Sequence, residues 1–197
     1  MAEINTSLAK ICLGIYNDNT AYQSYRDEDA VLKRLFKKYP KNNNLEEILL
    51  KVVVLNDFYN TNIMNVYKVA KHILELKIDD KLQNHDLSVV SLIANVDFGE
   101  KGKKCFYSFA TKYCSMHHPD YYPIIDKHVK NVLKKYKNEK YYDFKIKDFT
   151  DYEKYNKIIN AFNEFYDLNL SIRDLDHFLW VYDKEKDGLL LEYLSKI

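Results

Sequence analysis

The chain has 197 residues, 47% hydrophobic and 30% charged, with a formal net charge of +1. That length holds one domain or two closely packed lobes with a real core. The near-zero charge excludes a global polycation that would coat nucleic acid by charge alone.

Four Gly and three Pro interrupt the chain rarely, so long helices fit easily. Ser7 to Tyr16 reads as a short amphipathic helix. A second helix, Asp29 to Tyr39, is ended by Pro40 and an Asn-rich turn. Leu45 to Phe58 is almost wholly apolar from Ile48 to Leu55; its three consecutive Val suit a strand, but length and the flanking Leu-Glu-Glu favour a buried helix. Asn62 to Leu76 repeats Ile63, Val66, Val69, Ala70, Ile73 and Leu74 at helical spacing. Ser88 to Val96, Lys104 to Met116 and Lys127 to Tyr136 follow as helices. Thr150 with Glu153 forms a capping-box pattern that opens Asp151 to Tyr166. Ser171 to Tyr182 is the last firm helix, with a short tail beyond Gly188. Helices joined by short turns predict an all-α globule. The 18 Tyr and 10 Phe fill a core, and Tyr also suits wet interfaces and base stacking. The plentiful Lys and Asn read as a compositional bias of the source.

Charge is unevenly spread. Lys101, Lys103 and Lys104 crowd one turn. Lys127, Lys130, Lys134, Lys135, Lys137 and Lys140 face a single acid, Glu139. The region from Asp148 to Asp187 is acid-rich. Such asymmetry makes either a local basic face or a solvated helix side. Three Cys (12, 105 and 114) suit free thiols in a reducing, cytoplasmic compartment. Cys105, Cys114, His117 and His118 suggest zinc, but nine residues along one helix put the two Cys on opposite faces. Asp183 to Gly188 opens like a calcium loop, yet its twelfth position is Leu194, where a bidentate Glu is needed. No metal or cofactor is implied. No leader opens the chain and no apolar run reaches membrane-spanning length, so no membrane association is expected.

The most informative stretch is Pro123-Ile124-Ile125-Asp126-Lys127-His128-Val129. A carboxylate after a Pro-bounded turn, heading a cationic helix, is placed to act as a general base or to stabilise developing positive charge on a nucleic acid. The same Asp also reads as a plain N-cap.

Gly99 to Leu133 resembles the core of the helix-hairpin-helix, Gly/Pro/Asp class of DNA glycosylases. Gly99-Glu-Lys-Gly102 stands for the hairpin, Ser108 to Met116 for the following helix, and Pro123 to Asp126 for the Asp turn. Asp126-Lys-His-Val129 resembles the family's Asp-x-His-hydrophobic phrase. The class's nucleophilic Lys falls on Ser108, with Ala110 two places on; this is similar to the monofunctional adenine glycosylases, which use the Asp and water. Lys104 and Lys112 are the candidates for a displaced nucleophile. Asp174-Leu-Asp176-His-Phe178-Leu-Trp180 resembles the terminal helix of the archaeal 8-oxoguanine glycosylases, making Trp180, Asp176 and Phe178 the base-pocket candidates. Asn56 and Asn60 resemble the helix end from which that family fills the gap left by a flipped base.

The resemblance implies an all-α, two-lobed, glycosylase-like unit spanning the whole chain, with Gly99 to Tyr136 as its hairpin and Asp-turn core. It implies binding of double-stranded DNA and hydrolysis of the N-glycosidic bond of a flipped, damaged purine, 8-oxoguanine first. Asp126 then stabilises the oxocarbenium-like sugar and orients water. Lys103, Lys127, His128, Lys130 and Lys134 are the DNA contacts. Two other readings stay open: a non-catalytic module that recognises DNA or a modified base, and a protein-interaction component of a defence or stress system. Trp180, Asn56, Asn60 and Ser108 also have plain structural readings as core, turn and helix-spacing residues.

Overall fold

The computed structural model describes residues 3–138, 142–185 and 188–194. Glu139 and Lys140 of the basic run, and Lys186 and Asp187 of the calcium-like loop, lie outside the described residues. In chain order the elements are α1 (Thr6–Asp18), α2 (Gln23–Lys38), α3 (Leu45–Phe58), α4 (Val66–Leu76), α5 (Asp79–Gln83) and α6 (Ser88–Ala94). Then come β1 (Asn95–Asp97), β2 (Lys103–Cys105), α7 (Tyr107–His117), α8 (Lys127–Lys135), α9 (Tyr152–Phe165), α10 (Ile172–Glu185) and α11 (Leu189–Leu194). The fold is all-α, relieved by one two-stranded hairpin among the described residues. No described helix is long and apolar enough to cross a membrane.

The chain divides into two compact units, Met1–Arg26 with Ile125–Ile197, and Asp27–Ile124. One division falls inside α2, the other just before Asp126.

Asn, so common in this chain, does local work at helix starts. Asn5, Asn44 and Asn65 cap α1, α3 and α4, each side chain accepting an otherwise orphaned backbone N–H of the first turn. Asp126 caps α8 and Asp151 caps α9 in the same way. The cap of α9 is therefore Asp151, one place after the expected Thr150, whose hydroxyl donates instead to the Lys147 carbonyl.

In the first unit α10 packs against α1 and α8. Phe178, Leu175 and Leu179 are fully buried, with Cys12 and Ile15 of α1 and Leu133 of α8. α8 is strongly amphipathic: Val129, Val132 and Leu133 are buried while Lys127 and Lys134 are exposed.

In the second unit α3 packs on α4 and α7, and α6 on α7. α3 buries Ile48, Lys51, Val52 and Leu55, the i, i+3, i+4, i+7 stripe of a core helix. α7 is buried continuously from Phe109 to Ser115, so it is the central helix of this unit. Truncating such a residue, as in Ile48→Ala, costs about 2–5 kcal/mol.

The helices expected over Ser88–Val96 and Lys104–Met116 are both shorter. The backbone leaves α6 at Ala94 and pairs Asn95 with Cys105, Val96 with Lys104 and Asp97 with Lys103. A 3-10 turn at Gly99–Lys101 closes the hairpin, and Gly99 and Gly102 both take left-handed φ, +68° and +73°, which a side chain would resist. Lys104 and Cys105 thus sit on a strand. The helical geometry that separated Cys105 from Cys114 does not apply: they belong to different elements, one exposed and one buried. Among the described residues no group of three His, Cys, Asp or Glu could hold a metal ion.

Candidate functional site

In the first unit the site begins at the head of α8. The carboxylate of half-buried Asp126 accepts from the His128 N–H at 2.7 Å. Capping fixes this carboxylate at the mouth of a helix that carries Lys127, Lys130 and Lys134. Lys127 and Lys134 are exposed and Lys130 is half-buried.

His128 does not join them. Its Nδ1 pairs with Asp183 at 2.8 Å, Asn131 donates to the same Asp183 oxygen at 3.0 Å, and the ring meets Trp180 edge-on. Through Asp183, His128 ties the first turns of α8 to α10.

The base-pocket candidates separate. Phe178 is sealed in the core and Asp176 is 5% exposed on the inner side of α10. Phe178 has no face left for a base. Trp180 is half-buried and lies within an aromatic cluster of Tyr16, Tyr22 and Tyr25. The Lys184 ammonium lies over its ring, 4.6 Å from the centroid.

In the second unit Lys112 donates to the Ser108 hydroxyl at 2.6 Å, four residues apart on α7. Its amine lies 5.3 Å from the Tyr59 ring centroid and the residue is 5% exposed. Lys104 stands on β2 near the Phe98 ring, exposed, as is Lys103. A covalent amine must be shielded from water, and of the two displaced-nucleophile candidates only Lys112 is.

Asn56 also turns inward. Its amide donates to the Ile63 carbonyl, and its Oδ1 accepts from the Thr61 hydroxyl and the Ile63 N–H, both at 2.8 Å. It braces the 60–65 loop rather than projecting from it. Asn60 and Asn62 take left-handed φ of 47° and 59° there; Asn60 is exposed beside the helix end. The side chain that projects is Met64, 96% exposed.

A buried polar network lies deeper in this unit, unforeseen from the sequence. Lys51, fully buried, donates to the carbonyls of Tyr39 and Lys41 and to Asn42 Oδ1 at 2.7 Å. Tyr113 donates to the same Oδ1, and Asn42 donates through its amide and backbone to Asp79. Burial pulls the Lys51 amine down from 10.5 to about 8. It holds His117, which meets Asn42 at 3.3 Å, well below the usual histidine range, helped by the Lys51 charge. The signal for Lys51 was present: one charge at a core position of an otherwise apolar run. A neighbouring cleft of about 490 Å³ is lined by Asn42, Leu74, Glu75, Lys77, Asp79 and Asp80 among others. Three carboxylates against one Lys make it a poor seat for phosphate.

Residues 8–121 match the family model HI_0787_N, N-terminal domain. A Haemophilus influenzae protein named "Uncharacterized protein" is 39% identical over 143 residues, covering 72% of this chain and 68% of the relative. No solved structure matches the chain.

Proposed function

We propose that this chain, which belongs to the HI_0787_N family, binds double-stranded DNA and hydrolyses the N-glycosidic bond of a flipped, damaged purine. The observation that carries the reading is α8. One nine-residue helix bears the capping carboxylate of Asp126 and the cationic face of Lys127, Lys130 and Lys134. A phosphate-binding face and a carboxylate able to stabilise a cationic sugar then share one rigid element.

In this mechanism the target nucleotide leaves the stack at a cost of a few kcal/mol. Asp126 keeps one oxygen on the His128 N–H and turns its charge to the oxocarbenium-like sugar, where it also orients the attacking water. The His128–Asp183 clamp is the positioning device. Trp180 is the stacking platform for the base, and 8-oxoguanine is the first lesion to test. The step is hydrolytic and needs no cofactor. The location that goes with this reading is intracellular and reducing, in keeping with three free thiols.

The non-catalytic alternative has one observation in its favour: Phe178 is sealed and Lys184 covers Trp180, which narrows the space for a base. Release of free base from duplexes carrying 8-oxoguanine separates the two. Asp126→Asn is the matched control, because Asn caps a helix as well as Asp and the fold is kept. Base release should vanish while DNA affinity is unchanged; a fully active Asn variant would overturn the mechanism.

A further inference from the structure

Around Lys184 the first unit builds a cage. The ammonium lies 4.9 Å from the Tyr22 ring centroid, 4.3 Å from Tyr25 and 4.6 Å from Trp180. The walls are steep: Tyr22 and Trp180 meet at 85° and Tyr25 and Trp180 at 69°. Tyr16 and His128 hold the indole edge-on. The Tyr22 hydroxyl donates to the Glu185 carboxylate, which sets a negative charge beside the cage. Tyr25 is 40% exposed and Lys184 is exposed, so the opening faces solvent.

Three electron-rich faces converging on one cation exceed what solvation of a surface lysine requires. A bare ammonium is also strongly hydrated and spends one of its protons on the Tyr25 hydroxyl at 3.2 Å. A methylated ammonium sheds water more easily and fills such a space with polarised methyl groups.

We propose that Tyr22, Tyr25 and Trp180 form a binding site for a quaternary ammonium group, closed in this state by the chain's own Lys184. The site shares Trp180 with the base pocket of the base-excision reading, but the binding test needs no DNA and stands whether or not base release is seen. Lys184 acts as a tethered competitor, so the external ligand binds only by displacing it.

Trp180 is the chain's one tryptophan, so its emission reports on the cage directly. Tetramethylammonium should perturb the emission saturably, sodium should not, and Lys184→Gln should lower the midpoint by about tenfold. Choline should act similarly, whereas its neutral isostere 3,3-dimethylbutan-1-ol should not. Adding Tyr25→Leu to Lys184→Gln should remove the response. A peptide bearing trimethyllysine, set against the unmethylated peptide, distinguishes a protein side chain from a small metabolite as the source of the group. No saturable response in Lys184→Gln, an equal response to the neutral isostere, or a response that survives Tyr25→Leu would overturn the proposal.

Discussion

Lys112 donates to the Ser108 hydroxyl at 2.6 Å across one turn of α7, from a position 5% exposed. The pair gives Ser108 a specific partner and gives the amine an acceptor and an aromatic face. Ser108, not Lys112, fills the position that the resemblance gives to the nucleophilic Lys, and Lys112 stands one helical turn beyond it.

Borohydride is therefore expected to trap no covalent protein–DNA adduct under conditions where base release proceeds. An adduct formed by the wild type and lost in Lys112→Ala, but kept in Lys104→Ala, would assign the nucleophile to Lys112 and replace the hydrolytic step by a Schiff base.

The lysine face of α8 is testable by salt. Replacing Lys127, Lys130 and Lys134 by Gln should weaken binding to damaged and intact duplexes alike, because phosphate contacts carry no sequence information directly. The slope of log K against log salt should shrink by about 0.9 for each phosphate no longer neutralised. Val129, Val132 and Leu133 are untouched, so α8 should keep its packing. Unchanged affinity and slope would make this a solvated face and move the protein-interaction reading to the front.

Asn56 tests the braced loop. Asn56→Ala deletes three hydrogen bonds to residues 61 and 63 and should destabilise the chain by about 1–3 kcal/mol, read from denaturant midpoints. Proteolytic nicking around Met64 should increase in step. A neutral change in both would show that the left-handed residues alone hold the loop.

Lys51 predicts a pH dependence. Its folded pKa is about 8 against 10.5 for an ordinary lysine. Below about 8 the folded chain carries the buried charge and its full cost. Between the two values the unfolded amine still binds a proton that the folded one has lost, so the contribution to stability rises with pH. Relative to Lys51→Met, the wild type should gain up to about 3 kcal/mol across that window. A gap that stays flat would mean the amine remains protonated throughout.

Much of the fold was legible one helix at a time. Ile48, Val52 and Leu55 announce α3 and Asp126 announces the start of α8, because helical spacing and caps are properties of neighbouring residues. The hairpin was not: strands of three residues bounded by Gly99 and Gly102 carry too short a pattern to interrupt a helical reading. α5, five residues long, escaped for the same reason.

The sequence by itself determined the all-α class, the cap at Asp126 and the shared lysine face of α8, each a matter of residues within two turns of one another. Only the tertiary structure decided which side chains face inward. It sealed Phe178, turned His128 to Asp183 across 55 positions and Tyr113 to Asn42 across 71, and set Lys184 among Tyr22, Tyr25 and Trp180. A buried polar group needs a partner wherever the fold supplies one, and local pattern does not reveal which distant residue that will be.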